Sequence, residues 1–388
     1  MFQNVKEIPF VRYNKLLGIT LFVFIISEAS FFHVNILSGT FRLFLVIFNS
    51  FLIYLSTRKS SISGKSTFIF IFVCLLCVFS AFLFISLKQT IIISVCIVGG
   101  YVFYLRIPVN YFIESYKKVL FFLTVWSLST FGLSFVFPKL ITLFPYIQTK
   151  EALPVFNLFF SVVSDNTYVA RNYGLFWEPG AFSIFLNIGM FFELFASKMV
   201  NRRHIFIYII TILTTMSTLG VGCMILLIVA FVFNGNNIAF RNKLGIVLLF
   251  VIGIFVIFIY GEYFIFHVFG KLSDENNVST TTRLASIIYM WEAFIQHPIL
   301  GIGFNNFLQI QADKCFNMAT CTPLNWLAIY GVGGLLFVVG LCRFFIRFSL
   351  YWMTKCCLLL FSLLLFSTEN FIQIPFIYYL IFSGYNRY

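Results

Sequence analysis

The feature that most constrains this chain is a near-unbroken succession of apolar runs, many of them long enough to cross a lipid bilayer. A helix needs ~20 mostly apolar residues to span the hydrocarbon core. Hydrophobic residues make up 61% of the 388 positions and charged ones 10%, against roughly 45–50% and about 25% in soluble domains. The ten-residue alternation of a transmembrane β-barrel is absent, which leaves a helical bundle as the spanning solution. The expected fold is therefore an all-α polytopic integral membrane protein, a single transmembrane domain over residues 1–388. Twelve spans are expected, roughly at 16–36, 41–57, 67–87, 89–105, 119–138, 180–197, 205–217, 219–234, 244–262, 323–342, 356–369 and 371–385. The seventh and eighth are short and could be one bent hairpin around Ser217–Gly220, giving ten or eleven.

The formal net charge of +13 does not point to nucleic acid, because the basic residues are dealt out in small groups between the apolar runs. With both termini placed in the cytoplasm, 18 of the 26 Lys and Arg fall on the cytoplasmic side, as the positive-inside rule requires. Met1 to Lys15 is mixed and polar, and no small-residue cleavage site follows the first apolar run, so a cleavable signal peptide is not expected. Two long loops, about 139–179 and 263–322, then face outward. Loops of that length are usually functional or disordered, and their aromatic content argues against disorder. Cys315 and Cys321 fall in the second loop, either as a disulfide suited to an oxidising compartment or as two unrelated thiols. The four histidines are scattered, so neither a metal nor another cofactor is expected.

Charged residues gather in two outer stretches. The first, ARNYGLFWEPG, carries Arg171, Asn172, Gly174, Trp177 and Glu178 ahead of an apolar run, with Asp165 just upstream. A Glu before a Pro is also what an ordinary helix start carries, since an acid there suits the helix dipole and Pro suits the first turn. Gly174 permits a tight turn, and Phe176 and Trp177 offer flat surface on which a sugar can stack. The second stretch, TTRLASIIYMWEAFIQHPILGIGFNNF, predicts an amphipathic helix from about Thr282 to Ile295 carrying Arg283 and Glu292. It breaks at Gln296-His297-Pro298, and Gly301, Gly303 and Asn305 follow where backbone could approach a ligand. Glu28 and Glu193 lie within apolar spans, where a charge is costly. No partner is evident for Glu28, whereas Glu193 could reach Lys198.

An Arg followed by Trp-x-Ala-Phe, Pro-Ile-Leu-Gly-Ile-Gly and Asn-Phe resembles the signature segment of the O-antigen polymerase and ligase superfamily (Wzy-like proteins). Arg171 through Gly180 resembles the R…G…EPG segment of surface-polysaccharide polymerases, and NWLAIYGVGG at 325–334 resembles the helix after the large loop. The resemblance covers the topology and three short motifs. It implies a metal-independent, inverting glycosyltransferase of the bacterial cytoplasmic (inner) membrane, which moves a glycan from its undecaprenyl pyrophosphate carrier onto the next lipid-linked repeat unit. The product would be O-antigen or capsular polysaccharide, and a chain-length regulator and a flippase are possible partners. Arg171 and Arg283 match the motif arginines and would stabilise the pyrophosphate leaving group. The ligase branch places a His-Asn pair where this chain has Thr320 and Cys321, which favours a polymerase and leaves the base open. Glu178 is the first candidate base, ahead of Asp313 and Glu292, while His297 reads as a helix-end residue. The alternatives are a ligase-type transferase and a polysaccharide-lipid flippase, although the latter class concentrates its polar residues at mid-membrane.

Overall fold

The computed structural model describes residues 15–26, 30–31, 39–57, 64–84, 87–148, 154–164, 171–197, 199–234, 245, 278–315 and 319–386. In chain order the helices are α1 (Lys15–Ile26), α2 (Gly39–Ser56), α3 (Gly64–Phe84), α4 (Leu87–Arg106), α5 (Val109–Val136) and the short α6 (Pro138–Ile141). They continue as α7 (Pro179–Phe191), α8 (Arg202–Thr214), α9 (Thr218–Phe233), α10 (Val278–Gln296) and α11 (Gly303–Lys314). The last four are α12 (Thr322–Tyr330), α13 (Leu335–Ile346), α14 (Trp352–Leu365) and α15 (Pro375–Gly384). Helices thus stand at eleven of the twelve expected spans; the other, 244–262, lies outside the described residues apart from residue 245, and Glu28 lies outside them too. Among the described residues, five stretches are long and apolar enough to cross a membrane: Ser66–Phe84, Leu87–Arg106, Val109–Val136, Pro179–Ala196 and Thr322–Ile346.

Burial sorts these helices by solvent. Along α3, Phe68, Phe72, Phe79 and Phe82 are exposed, a surface suited to lipid rather than water. All of α7 is buried, as expected of a helix that is apolar on every side. Phe185 and Phe191 pack there against Phe376, Phe345 and Phe361. The last helix, α15, is also wholly buried, and Gly340 on α13 meets Gly384 with no side chain between the backbones. Small residues at such crossings let membrane helices approach closely.

Two boundaries and one loop differ from expectation. α5 begins at Val109, ten residues before the expected 119. Its charges are neutralised in place: Lys117 Nζ lies 2.7 Å from Glu114 one turn earlier and donates to Ser197 Oγ at 2.7 Å. α14 ends at Leu365, so Glu369 sits in the turn to α15 and not in a span. The expectation of an all-α chain is corrected by a three-stranded antiparallel sheet in the first long loop, β1 (Tyr146–Gln148), β2 (Pro154–Asn157) and β3 (Val162–Ser164). Phe156 and Val163, cross-strand partners, join Ile141 and Leu158 in a small separate core.

The two ends of α7 carry different polar groups. At its C-terminal end the helix widens into a π turn, Phe192–Ala196, which carries the buried Glu193. Its partners among the described residues are His204 Nδ1 at 2.7 Å, Ser197 Oγ at 3.2 Å and Lys117 Nζ at 3.9 Å. Lys198 itself lies outside the described residues. The other end, about 22 Å away at 1.5 Å per residue, carries the candidate site.

Candidate active site

Residues 171–178 form a backbone pinned on several sides. Val162 N–H donates to the Gly174 carbonyl at 2.7 Å, Val163 bridges Asn172, Asn172 N–H donates to Thr214 O at 3.0 Å, and Phe31 N–H donates to Leu175 O at 2.8 Å. Asn172 is buried, with Nδ2 donating to Thr214 Oγ1 at 3.1 Å and Ser127 Oγ at 3.4 Å, while its Oδ1 accepts from Gly174 N–H. Both ends of its amide are thus engaged by the protein, which makes Asn172 a support of the segment. Gly174 holds φ +53° against the Phe182 ring, where a Cβ would stand 2.8 Å from a ring carbon.

That frame presents Arg171 and Glu178. Arg171 Nε donates to Thr215 O at 3.0 Å and a terminal nitrogen to Met216 O at 3.5 Å, so the turn between α8 and α9 holds the guanidinium. Met216 adopts φ +50°, an uncommon conformation for a residue with a side chain. Burial lowers the Arg171 guanidinium below its ordinary value; Tyr173 and Glu178 oppose that shift and Arg283 adds to it. It stays protonated at neutral pH.

Glu178 occupies the N-cap position of α7 with Pro179 after it, yet its side chain caps nothing. The carboxylate turns instead toward a residue that sequence reasoning missed. Glu369, in the turn after α14, is buried and hydrogen-bonds with both Glu178 and the Trp177 ring N–H. Burial pushes the Glu369 carboxyl well above the usual carboxylate range, and the charge of Glu178 and their hydrogen bond push it further the same way. Arg283 and Trp177 pull in the opposite direction. Arg283 reaches the cluster from α10, and its buried Nε has no hydrogen-bond partner among the described residues. Among the described residues, neither Arg171 nor Arg283 makes an ion pair within 4 Å.

Thr322, the first residue of α12, fixes the turn that carries Glu369. Its hydroxyl donates to the Glu369 carbonyl and accepts from Phe371 N–H at 2.9 Å. Thr322→Val removes both bonds at a buried position and is expected to cost about 1–3 kcal/mol. The thermal midpoint of the detergent-solubilised protein should fall, and Thr322→Ser should restore it.

The remaining sequence candidates lie elsewhere. Glu292 is exposed on α10, with Gln296 as its hydrogen-bond partner, and Asn305 Nδ2 donates to Phe84 O. Asp313 is exposed near the end of α11, and His297 is exposed in the helix-end turn, its carbonyl accepting from Gly301 N–H at 2.9 Å. Gly301 and Gly303, expected to approach a ligand, approach the protein itself. Gly301 lies against Gly331, with a Cβ position 2.6 Å from Gly331 N, and Gly303 lies against the Phe84 ring. Val332 N–H to Pro298 O at 2.7 Å and Ile302 N–H to Ala328 O at 2.8 Å complete that seam. Gly331 has φ +58° and ψ −139°, and a Cβ there would stand 2.5 Å from Ile299 O. Gly331→Ala should therefore lower the unfolding free energy by at least ~1–3 kcal/mol, read as a lower melting midpoint. Cys315 and Cys321 are both buried free thiols, not the disulfide considered from their spacing, and Cys315 hydrogen-bonds with Ser286.

An apolar groove of about 710 Å³ between α2, α3 and α4 is lined by groups such as Val46, Val78, Phe82, Ile91 and Val98. It offers no charged group to an anionic substrate. The charged cluster is a better candidate, because two cations and two carboxyls meet there at the mouth of a buried helix.

The fold and cluster define a multi-pass helical membrane protein with a charged site at one end of its central helix. Residues 204–339 match the family model described as O-antigen ligase, in line with the resemblance drawn from the motifs. That family consists of glycosyl-transferring enzymes. The matched stretch runs from α8 into α13 and contains Arg283, while Arg171, Glu178 and Glu369 lie outside it. Neither the curated proteins nor the solved structures provide a match.

Proposed function

We propose that this protein is a surface-polysaccharide polymerase, joining undecaprenyl-pyrophosphate-linked repeat units at the outer face of the bacterial cytoplasmic membrane. The observation that carries the reading is the meeting of Arg171, Glu178 and Arg283 from two separate segments, two guanidinium groups with no carboxylate at ion-pair distance among the described residues. Two like charges held together in a partly dry site are unfavourable until an anion joins them. A diphosphate ester supplies that anion and gains charge as the glycosidic bond breaks. Forked donors then stabilise the leaving group more strongly in the transition state than in the bound substrate. Glu178, beside Arg171, takes the proton of the acceptor hydroxyl. No metal is needed for this assignment of roles.

A polymerase is favoured over a ligase by residues 320 and 321. Thr320 N–H donates to Ser286 Oγ at 3.2 Å, and Cys321 is buried at the N-cap of α12. Neither can act as a neutral-pH base in the way a histidine can. The test is deletion of the gene in its host, followed by gel analysis of the surface glycan. Collapse of the ladder to a single repeat unit, restored by the wild-type gene, supports a polymerase. Polymer stranded on its lipid carrier identifies a ligase, and single units retained on the cytoplasmic side identify a flippase.

A further inference from the structure

We propose that Glu178 and Glu369 form a carboxyl dyad sharing one proton, in which Glu369 holds the proton and Glu178 is left free to receive the acceptor's. The proposal rests on the glycosyl-transfer reading above and assigns a role to a residue outside both recognisable motifs. Its first support is geometric. A Cβ built on Gly180 would stand 2.8 Å from Glu178 Oε1 and 3.3 Å from Glu369 Oε1, so the two carboxyls converge over a face kept open by glycine. The second is that Glu178 spends its side chain on this contact although it sits where a helix cap would. The third is burial: Glu369 is 7% exposed and, among the described residues, has no cation within ion-pair distance. Two ionised carboxylates cannot share such a place, and a single proton between them removes the conflict.

Among the described residues, Arg171 lies beside Glu178 and itself faces Tyr173 and Arg283, and Arg283 also faces Glu369. With one proton on the dyad, the two carboxyls and two guanidiniums sum to +1. During transfer the acceptor oxygen bonds to the anomeric carbon and the bond from that carbon to the diphosphate oxygen breaks. The electron pair leaves on the diphosphate, and the acceptor proton passes to Glu178. The protein groups then sum to +2 as the diphosphate becomes more negative by one. Glu369 acts through Glu178 and is a positioning residue, held by Thr322.

The test combines Glu369→Gln with a pH–rate profile in proteoliposomes supplied with lipid-linked repeat units. Gln donates the same hydrogen bond without a proton to lose. Transfer should stay within about tenfold of wild type, and the fall in rate at alkaline pH, where the wild-type dyad loses its shared proton, should disappear. An unchanged alkaline limb overturns the proposal, and so does a folded variant as inactive as Glu178→Gln. Infrared difference spectra of the wild-type protein give a readout without turnover. A protonated-acid carbonyl band that titrates away at high pH and is missing from Glu369→Gln supports the dyad; transfer without such a band removes it. The band without any transfer leaves the dyad standing and refutes the transferase reading instead.

Discussion

Arg283→Lys is expected to slow glycan transfer by about 100- to 1,000-fold, the scale of losing one aligned donor to a developing anion. Arg283 arrives on α10 with a buried Nε that no group among the described residues satisfies. A lysine at that position keeps the positive charge but replaces a planar fork with a single ammonium, which cannot hold two phosphate oxygens at once. The helix should be unaffected, since Lys and Arg have similar helix propensities. The measurement is the rate of polymer formation from purified lipid-linked repeat units, with the amount of folded protein checked in parallel. A lysine variant that polymerises at the wild-type rate would remove Arg283 from the leaving-group role.

Glu178→Gln carries the second large effect, a loss of about 100- to 10,000-fold if this carboxylate is the base. The substitution is close to isosteric, and the wild-type side chain makes no cap to α7 that the amide would forfeit. The two roles predict different outcomes for substrate binding. Gln at 178 removes a negative charge beside Arg171, so the diphosphate donor should bind at least as tightly while turnover falls. Binding lost together with turnover would mark Glu178 as a structural group.

Much of this arrangement was legible because its parts are close in sequence. Arg171 and Glu178 are separated by six residues, and their joint placement before an apolar run suggested a site at a helix mouth. The helix that carries Arg283 was readable from the period of its residues, and α10 covers it, whereas Arg283 itself was singled out only by the resemblance to the family's motif arginine. Glu369 was not, because the LLLFSTENFIQIP segment reads as the end of one apolar run and the beginning of another. Only the early end of α14 and the Thr322 contact separate it from the span. Gly301 and Gly303 show a different limit. Glycine announces that something approaches closely, but its pattern is the same whether the neighbour is a substrate or, as here, the turn at Gly331. The sheet escaped notice since its strands are three or four residues long, too short for alternation to stand out among aromatic residues.

The position of Glu369 in the chain also orders events during synthesis. Arg171 and Glu178 emerge first, Arg283 follows, and Glu369 arrives only with the turn between the last two helices. Ribosomes add ~5–20 residues per second, so the arginines precede their final neighbour by several seconds. A nascent chain caught at that stage has both guanidinium groups and Glu178 without Glu369, so the contact between the two carboxyls forms last among the four charged groups.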